Sequence, residues 1–326
     1  MADGGMPITQ KIVGKDAWVR ADLKESDWRV VLPPEALREV REVVTSLREQ
    51  PVPLLALRPD SYDMPACRAA MQKVTAIVNT GVKFALVERL PVEDMSEDEA
   101  KAVYWMLASM IARPVAQKLD GTMIYDVTDT GKKPLPGSGV RPDKSNVDLQ
   151  FHNDNAYNLV MPEVVGLLCI RKARSGGTSR VMSFATAHNR LRERFPEQLD
   201  RLYRPFVFDR QKEHRPDEEP LFQAPIFIND KGTLLARLGQ HQIKNGYALT
   251  GGMDDETRNA LLAVDEVFRE PELQFEFDMQ PGDMQFARNC EVGHSRTEFH
   301  DFDEPAKKRL LVRLWLRDHG KPGYVG

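Results

Sequence analysis

The stretch Val147-Asp148-Leu149-Gln150-Phe151-His152-Asn153-Asp154 decides how this chain is read. Its odd positions Val147, Leu149 and Phe151 are apolar and its even positions Asp148, Gln150, His152 and Asp154 are polar, a period of two that predicts a β-strand. Residues two apart on a strand project from one face, so the imidazole of His152 and the carboxylate of Asp154 can close on one metal ion from a single rigid edge. His-x-Asp is then half of a chelate that needs a third ligand. Taken alone, the pair is common enough by chance to be a polar strand end, and the rest of the chain has to decide.

Composition narrows the classes. With 326 residues, 41% hydrophobic and 29% charged, the chain is long enough to bury a large core and is expected to form one elaborated domain. A net charge of -4 and a pI near 6.0 give no electrostatic reason to approach nucleic acid or an anionic membrane. Cys67, Cys169 and Cys290 are odd in number, far apart and without Cys-x-x-Cys spacing, which fits reduced thiols in a cytoplasmic protein rather than a disulfide framework or a zinc ribbon. Residues 1–14 lack the apolar segment of a secretion signal, and nowhere do eighteen apolar residues run together, so neither export by that route nor membrane insertion is expected. A small molecule is the expected partner; the sequence leaves a homo-oligomer open.

Outward from the opening stretch, the first third reads as helices. Pro33-Pro34 precedes Leu37, Val40, Val43, Val44 and Leu47 at helical spacing; residues 64–80 repeat the pattern up to Gly81; Ser96-Glu97-Asp98-Glu99 is a capping box before an apolar stripe from Val103 to Ile111. Strands are predicted at Phe84–Leu90, Met123–Val127, Val164–Ile170 and Arg180–Met182, followed by a helix from about Ala185 to Arg194. A hairpin is predicted over Ala224–Asn229 and Thr233–Leu238, a helix over Asp254–Arg269, and strands over Leu273–Phe277 and Met284–Ala287 across Pro281-Gly282-Asp283. Thr128–Ser145 and Asp209–Pro220 read as loops, and residues 128–146, 209–222 and 295–307 are the expected cover of any site. Many short strands in the second half and helices mainly in the first predict a mainly-β α+β fold, a sandwich or jelly roll with an outer helical layer.

Two further features bear on the His-x-Asp pair. His294 lies in Asn289-Cys290-Glu291-Val292-Gly293-His294, read as a turn just beyond a strand. In Arg309-Leu310-Leu311-Val312-Arg313-Leu314-Trp315-Leu316 the even positions are all apolar, so Arg309 and Arg313 share the opposite face about 13 Å apart. A guanidinium turned into a barrel would need a planar carboxylate partner. The remaining histidines, His188, His214, His241, His300 and His319, read as bystanders.

The order His-x-Asp, then Gly176-Gly177-Thr178-Ser179, a distant His and an arginine fifteen residues on resembles the Fe(II)/2-oxoglutarate-dependent dioxygenases of the taurine dioxygenase (TauD/TfdA) and clavaminate synthase-like family. The resemblance begins near Val74–Gly81 and Phe84–Pro91 and runs to Leu316, about three quarters of the chain. It implies a double-stranded β-helix (jelly roll), with residues 1–115 as a largely helical layer and 120–318 as the core of a single domain over 1–326. It implies Fe(2+) on His152, Asp154 and His294, the distal carboxylate of 2-oxoglutarate on Arg309 with a hydroxyl of Ser179 or Thr178, Arg313 as a second site arginine, and Asp148 as a substrate contact. Two His and one carboxylate on one face of the metal leave positions for a 2-oxo acid and O2. The implied reaction is hydroxylation of an unactivated C–H bond in an amino-acid-like, amine or organic-acid substrate, with release of succinate and CO2. Desaturation or cyclisation by the same oxidant stays open. The rivals are a zinc hydrolase on the same three ligands, which has no use for the two arginines, and a non-catalytic 2-oxoglutarate-binding protein, which has no need of an intact triad.

Overall fold

In the strand Leu310–Leu316 both faces are buried: Leu310, Val312, Leu314 and Leu316 point one way, Leu311, Arg313 and Trp315 the other. A strand with two covered faces belongs in the middle of a sheet. In a computed structural model, which describes residues 4–132 and 142–325, this strand pairs antiparallel with Val164–Arg171 along one edge and with Ile124–Val127 and Pro114–Val115 along the other. The sheet continues through Met284–Arg288 and Phe84–Glu88 to an edge strand, Arg29–Val31, which adds in parallel. A second sheet has the order Phe275–Phe277, Ser179–Ser183, Val292–Arg296 and Leu149–His152, all antiparallel.

The two sheets lie face to face. Phe84 and Ala287 of the larger pack against Val181, Val292 and Phe275 of the smaller. Outside the larger sheet lie the helices Pro34–Glu49, Pro65–Thr80 and Glu97–Ser109, which bury Val40, Met71, Val103 and Leu107 on Leu168, Phe286 and Val312. Each such side chain contributes about 1.5–3 kcal/mol by leaving water. The capping box forms as read, with Ser96 accepting from the Glu99 amide and Glu99 accepting from the Ser96 amide. Outside the smaller sheet, Phe184–Arg194, Pro196–Leu202 and Asp255–Phe268 bury Phe184, Leu191 and Val264 around Phe151 and Met182.

Several expectations change. Helices do not lie mainly in the first half: besides the two expected near 185–194 and 254–269, Pro196–Leu202 and Gln240–Leu249 lie in the second, because the smaller sheet needs its own cover, and Gln240–Leu249 has too few apolar residues to announce itself. Three strands of the larger sheet come from before residue 116, so the N-terminal third is part of the sheet as well as a layer on it. Phe275–Phe277 and Met284–Arg288 lie in different sheets: the Pro281-Gly282-Asp283 turn carries the chain across, with Gly282 at φ +91° and donating its amide to the Cys169 carbonyl. The predicted hairpin is confined to Phe227–Asp230 and Thr233–Ala236, while Leu221–Ala224 pairs back onto Phe206–Asp209. Of the loop predicted at Thr128–Ser145, and so of the expected cover at 128–146, residues 133–141 lie outside the described residues.

Candidate metal centre

The opening strand is shorter than its alternation suggests. It runs Leu149–His152, and its pairing to Val292–Arg296 slips: His294 faces His152, yet Arg296 faces Leu149, three residues against two. This β-bulge puts Leu149 and His152 on the cavity side together and sends Phe151 outward against Phe184 and Phe268. Asp154 lies two residues beyond the strand, in a turn. Nor is His294 in a turn; it is central in its own strand. Gly293 beside it serves packing, since a Cβ there would come within 2.8 Å of the Phe184 ring.

Asp154 is held where it is by asparagine amides. Its own N–H donates to Asn289 Oδ1 at 2.9 Å, and Asn289 Nδ2 donates back to its carbonyl at 2.9 Å. Asn153 exchanges two hydrogen bonds with the Leu238 backbone, at 2.8 and 2.6 Å, and donates to the Asn289 carbonyl. The turn is therefore tied to two other segments of backbone.

The three ligand atoms lie within 4.8 Å of one another, with His152 Nε2 3.5 Å and His294 Nε2 3.3 Å from Asp154 Oδ1. Ligands at about 2.0–2.2 Å from a first-row ion, placed at right angles, stand about 3 Å apart, so the set fits such an ion on one face. His152 Nδ1 lies 2.9 Å from the Gln150 carbonyl, which fixes the proton there and leaves the Nε2 lone pair turned toward Asp154. The outer oxygen of Asp154 accepts from Trp315 Nε1 at 2.6 Å and lies 3.2 Å from Arg313 Nη1. Burial alone would raise its carboxyl, but Arg313 and the two histidines outweigh that and hold it well below the usual carboxylate range. Burial, then the neighbouring His152, pushes the His294 imidazole down against the pull of Asp154. Both ligands are thus in the deprotonated forms that bind a metal.

Arg309 precedes the Leu310–Leu316 strand, and a register shift between Leu310 and Leu311 lets it share a cavity of about 50 Å³ with Arg313, Ser179, Gln285, Arg296, His152, Asp154 and His294. Its guanidinium is 5.0 Å over the Phe299 ring, its Nη1 has no hydrogen-bond partner among the described residues, and burial pushes it down to about 10, still charged at neutral pH. Arg296, two residues after His294, lies 4.6 Å over the same ring, donates to the Ser145 and Val147 carbonyls, and is likewise pushed to about 10, by burial first and by Arg309 next. Of the two adjacent hydroxyl residues, Ser179 is buried and lines this cavity, whereas Thr178 is tied by its backbone to Thr297. Asp148 lines a second, larger cavity, but its carboxylate meets Arg180 at 3.0 Å.

Sequence reasoning missed Asn289, Trp315, Arg296, Gln285 and Asp143. Trp315 and Arg296 were legible, since each is two residues along a strand from a residue already singled out. Of the bystander histidines, His188 is fully buried with Nε2 2.8 Å from the Tyr203 hydroxyl, and His241 lines the larger cavity. The loop 210–220 is not all surface either: Arg210 and Gln211 are buried, and Gln211 reaches that same cavity.

A family model, taurine catabolism dioxygenase TauD, TfdA family, matches residues 61–315. The chain belongs to that family. It is an Fe(II)- and 2-oxoglutarate-dependent oxygenase by membership. Among curated relatives it is similar to FR-33289 synthase of Streptomyces rubellomurinus (strain ATCC 31215), 26% identical over 95% of this chain and 91% of that one. It is also similar to the taurine hydroxylase-like protein SAT17 of Stachybotrys chartarum (strain CBS 109288 / IBT 7711), 26% identical over 95% of this chain and 81% of the other. Among solved structures, asparagine oxygenase in complex with Fe(II), 2S,3S-3-hydroxyasparagine and succinate matches with a TM-score of 0.64 at 20% identity, covering 89% of this chain and 93% of that one. The non-heme iron oxygenase OrfP with Fe and alpha-ketoglutaric acid matches at 0.63 and 15% identity, covering 89% and 94%. No helix among the described residues is long and apolar enough to cross a membrane.

Proposed function

We propose that this oxygenase hydroxylates an unactivated C–H bond of a small organic molecule, with His152, Asp154 and His294 holding Fe(II) and Arg309 with Ser179 holding the distal carboxylate of 2-oxoglutarate. The facing sheets are read as the double-stranded β-helix of a single jelly-roll domain over 1–326, working in the cytoplasm. The observation that carries the assignment is Arg309: a buried guanidinium beside the triad with an unfilled donor is poised for an anion, and a zinc hydrolase would leave it unexplained. Iron with 2-oxoglutarate and O2 supplies, when bound, the power to remove hydrogen from an unreactive C–H bond, with succinate and CO2 released.

The chain's own residues do the rest. Arg309 and Ser179 orient the co-substrate at the far end of the small cavity. Val127, Val165, Leu167 and Leu311 line it with apolar surface that keeps water out. Trp315 and Arg313 fix the outer oxygen of Asp154, so that its inner oxygen stays turned to the histidines. Solved neighbours bind asparagine- and arginine-derived products, which supports an amino-acid-like substrate here.

The test is anaerobic loading with Fe(II), followed by 2-oxoglutarate and air, with succinate and O2 uptake measured. Succinate formation that depends on iron is expected. Hydrolytic activity with zinc, and no succinate from 2-oxoglutarate, would overturn the reading.

A further inference from the structure

A cavity of about 290 Å³ opens beside the triad, with His152, Asp154 and Trp315 in its wall. Its polar lining is lopsided. Among the described residues its one lysine or arginine is Arg313, whose Nη1 already meets two carboxylates, Asp143 at 3.0 Å and Asp154 at 3.2 Å. Two residues of the same lining, Asp143 and Gln240, each carry an acceptor oxygen, Oδ1 and Oε1, that is buried without a hydrogen-bond partner among the described residues.

The orientation of Gln240 is set by chemistry. Its Nε2 donates to Asp265 Oδ1 at 2.6 Å, and an ionised carboxylate only accepts, so the amide cannot be turned round. Gln240 is 4% exposed. A fixed, buried, unfilled acceptor is costly to keep, and it is met at sites where a ligand completes it.

We infer that the substrate enters this cavity with a hydrogen-bond-donor end, an ammonium, guanidinium or primary amide, which Gln240 Oε1 and Asp143 Oδ1 accept, and that Gln240 is a specificity-determining residue. The inference rests on the oxygenase reading and narrows its substrate class, excluding an organic anion at this end. A carboxylate or sulfonate placed against those two oxygens would meet acceptors on both sides and no donor from either.

The test uses four probes that share one chain: hexylamine, hexylguanidine, hexanamide and hexanoate. Each is titrated by calorimetry into protein loaded with Mn(II) and 2-oxoglutarate without oxygen. The three donor probes should bind at least tenfold tighter than hexanoate. Gln240→Met should weaken the donors at least fivefold and leave hexanoate unchanged, with melting temperature and 2-oxoglutarate binding as controls of folding. Asp143→Asn is the second variant and should weaken the two cations more than neutral hexanamide. Hexanoate binding as tightly as the donors, no detectable donor binding, or donor affinities that neither variant moves would each overturn the inference. Failure of 2-oxoglutarate to bind or to yield succinate in air would count instead against the oxygenase reading.

Discussion

Two cavities share the ligand triad's side of the molecule, and they are built differently. The small one, about 50 Å³, is walled mainly by strand residues such as Val165, Leu167, Ser179, Gln285, His294, Arg296 and Leu311. The larger, about 290 Å³, takes Asn155 and Tyr157 from a turn, Gln211 from a loop and Gln240, His241 and Gln242 from the start of a helix. Asp143, Leu149, His152, Asp154 and Arg313 belong to both. A sheet fixes its side chains by backbone pairing, so a wall made of strands suits a co-substrate that never changes. A wall of loops can be rebuilt without disturbing the sheets, which suits a substrate that differs between relatives.

The largest effect expected is at the three ligands, of which His152 and Asp154 line both cavities and His294 the small one. His152→Ala, Asp154→Ala and His294→Ala should each abolish succinate formation from 2-oxoglutarate, with circular dichroism of the fold largely retained. Substantial turnover in the His294 variant would remove it from the site. Next is the small cavity's arginine. Losing the buried partner of a charged group costs on the order of 2–5 kcal/mol, and each 1.4 kcal/mol is about tenfold. Arg309→Ala should therefore raise the 2-oxoglutarate dissociation constant at least tenfold, with about three-hundredfold near the middle of the range, while metal titration is unchanged. Arg309→Lys keeps the charge but loses the fork and should fall between. Unchanged 2-oxoglutarate affinity in a folded Arg309→Ala protein would return a zinc site to contention.

The contrast between the cavities also explains what the sequence disclosed. His152, Asp154, His294, Arg309 and Arg313 are near or within strands, where alternation and order along the chain carry information. The bulge opposite His294 was invisible, because a local two-against-three pairing depends on the partner strand and not on the composition of either. Asn289 gave no sign, since an amide that clamps a turn 135 positions away has no local pattern. Gln240 and Gln211 are polar residues outside any strand, indistinguishable in sequence from solvated ones until the fold buries them.

A smaller effect is expected one step outside the ligands. Trp315→Phe keeps the aromatic packing and removes the N–H that holds the Asp154 outer oxygen at 2.6 Å. Arg313 remains on that oxygen. Loss of a group that orients a ligand lowers metal affinity by about tenfold to a hundredfold, and with Arg313 in place the lower end applies. Iron titration would measure it, and an unaltered constant would show that Arg313 alone orients the carboxylate.

The smallest effect separates two adjacent hydroxyls. Ser179 pairs with Arg296 across one edge of its strand and with Phe277 across the other, which turns its side chain inward beside Arg309. Thr178 precedes the strand, its amide donating to Thr297 Oγ1 and its carbonyl accepting from the Thr297 amide, both at 3.0 Å, so its place is set by the backbone and it does not line the small cavity. A hydroxyl donating to a carboxylate contributes about 1.5–3 kcal/mol when the acceptor is charged, and the arginine beside it takes up part of the loss. Ser179→Ala should raise the 2-oxoglutarate dissociation constant about tenfold, and Thr178→Ala should stay within about twofold. The two variants measured side by side make each other's control: the opposite ranking would mean that the strand register in solution differs by one residue at this edge, because a slip of one is what exchanges inward and outward hydroxyls.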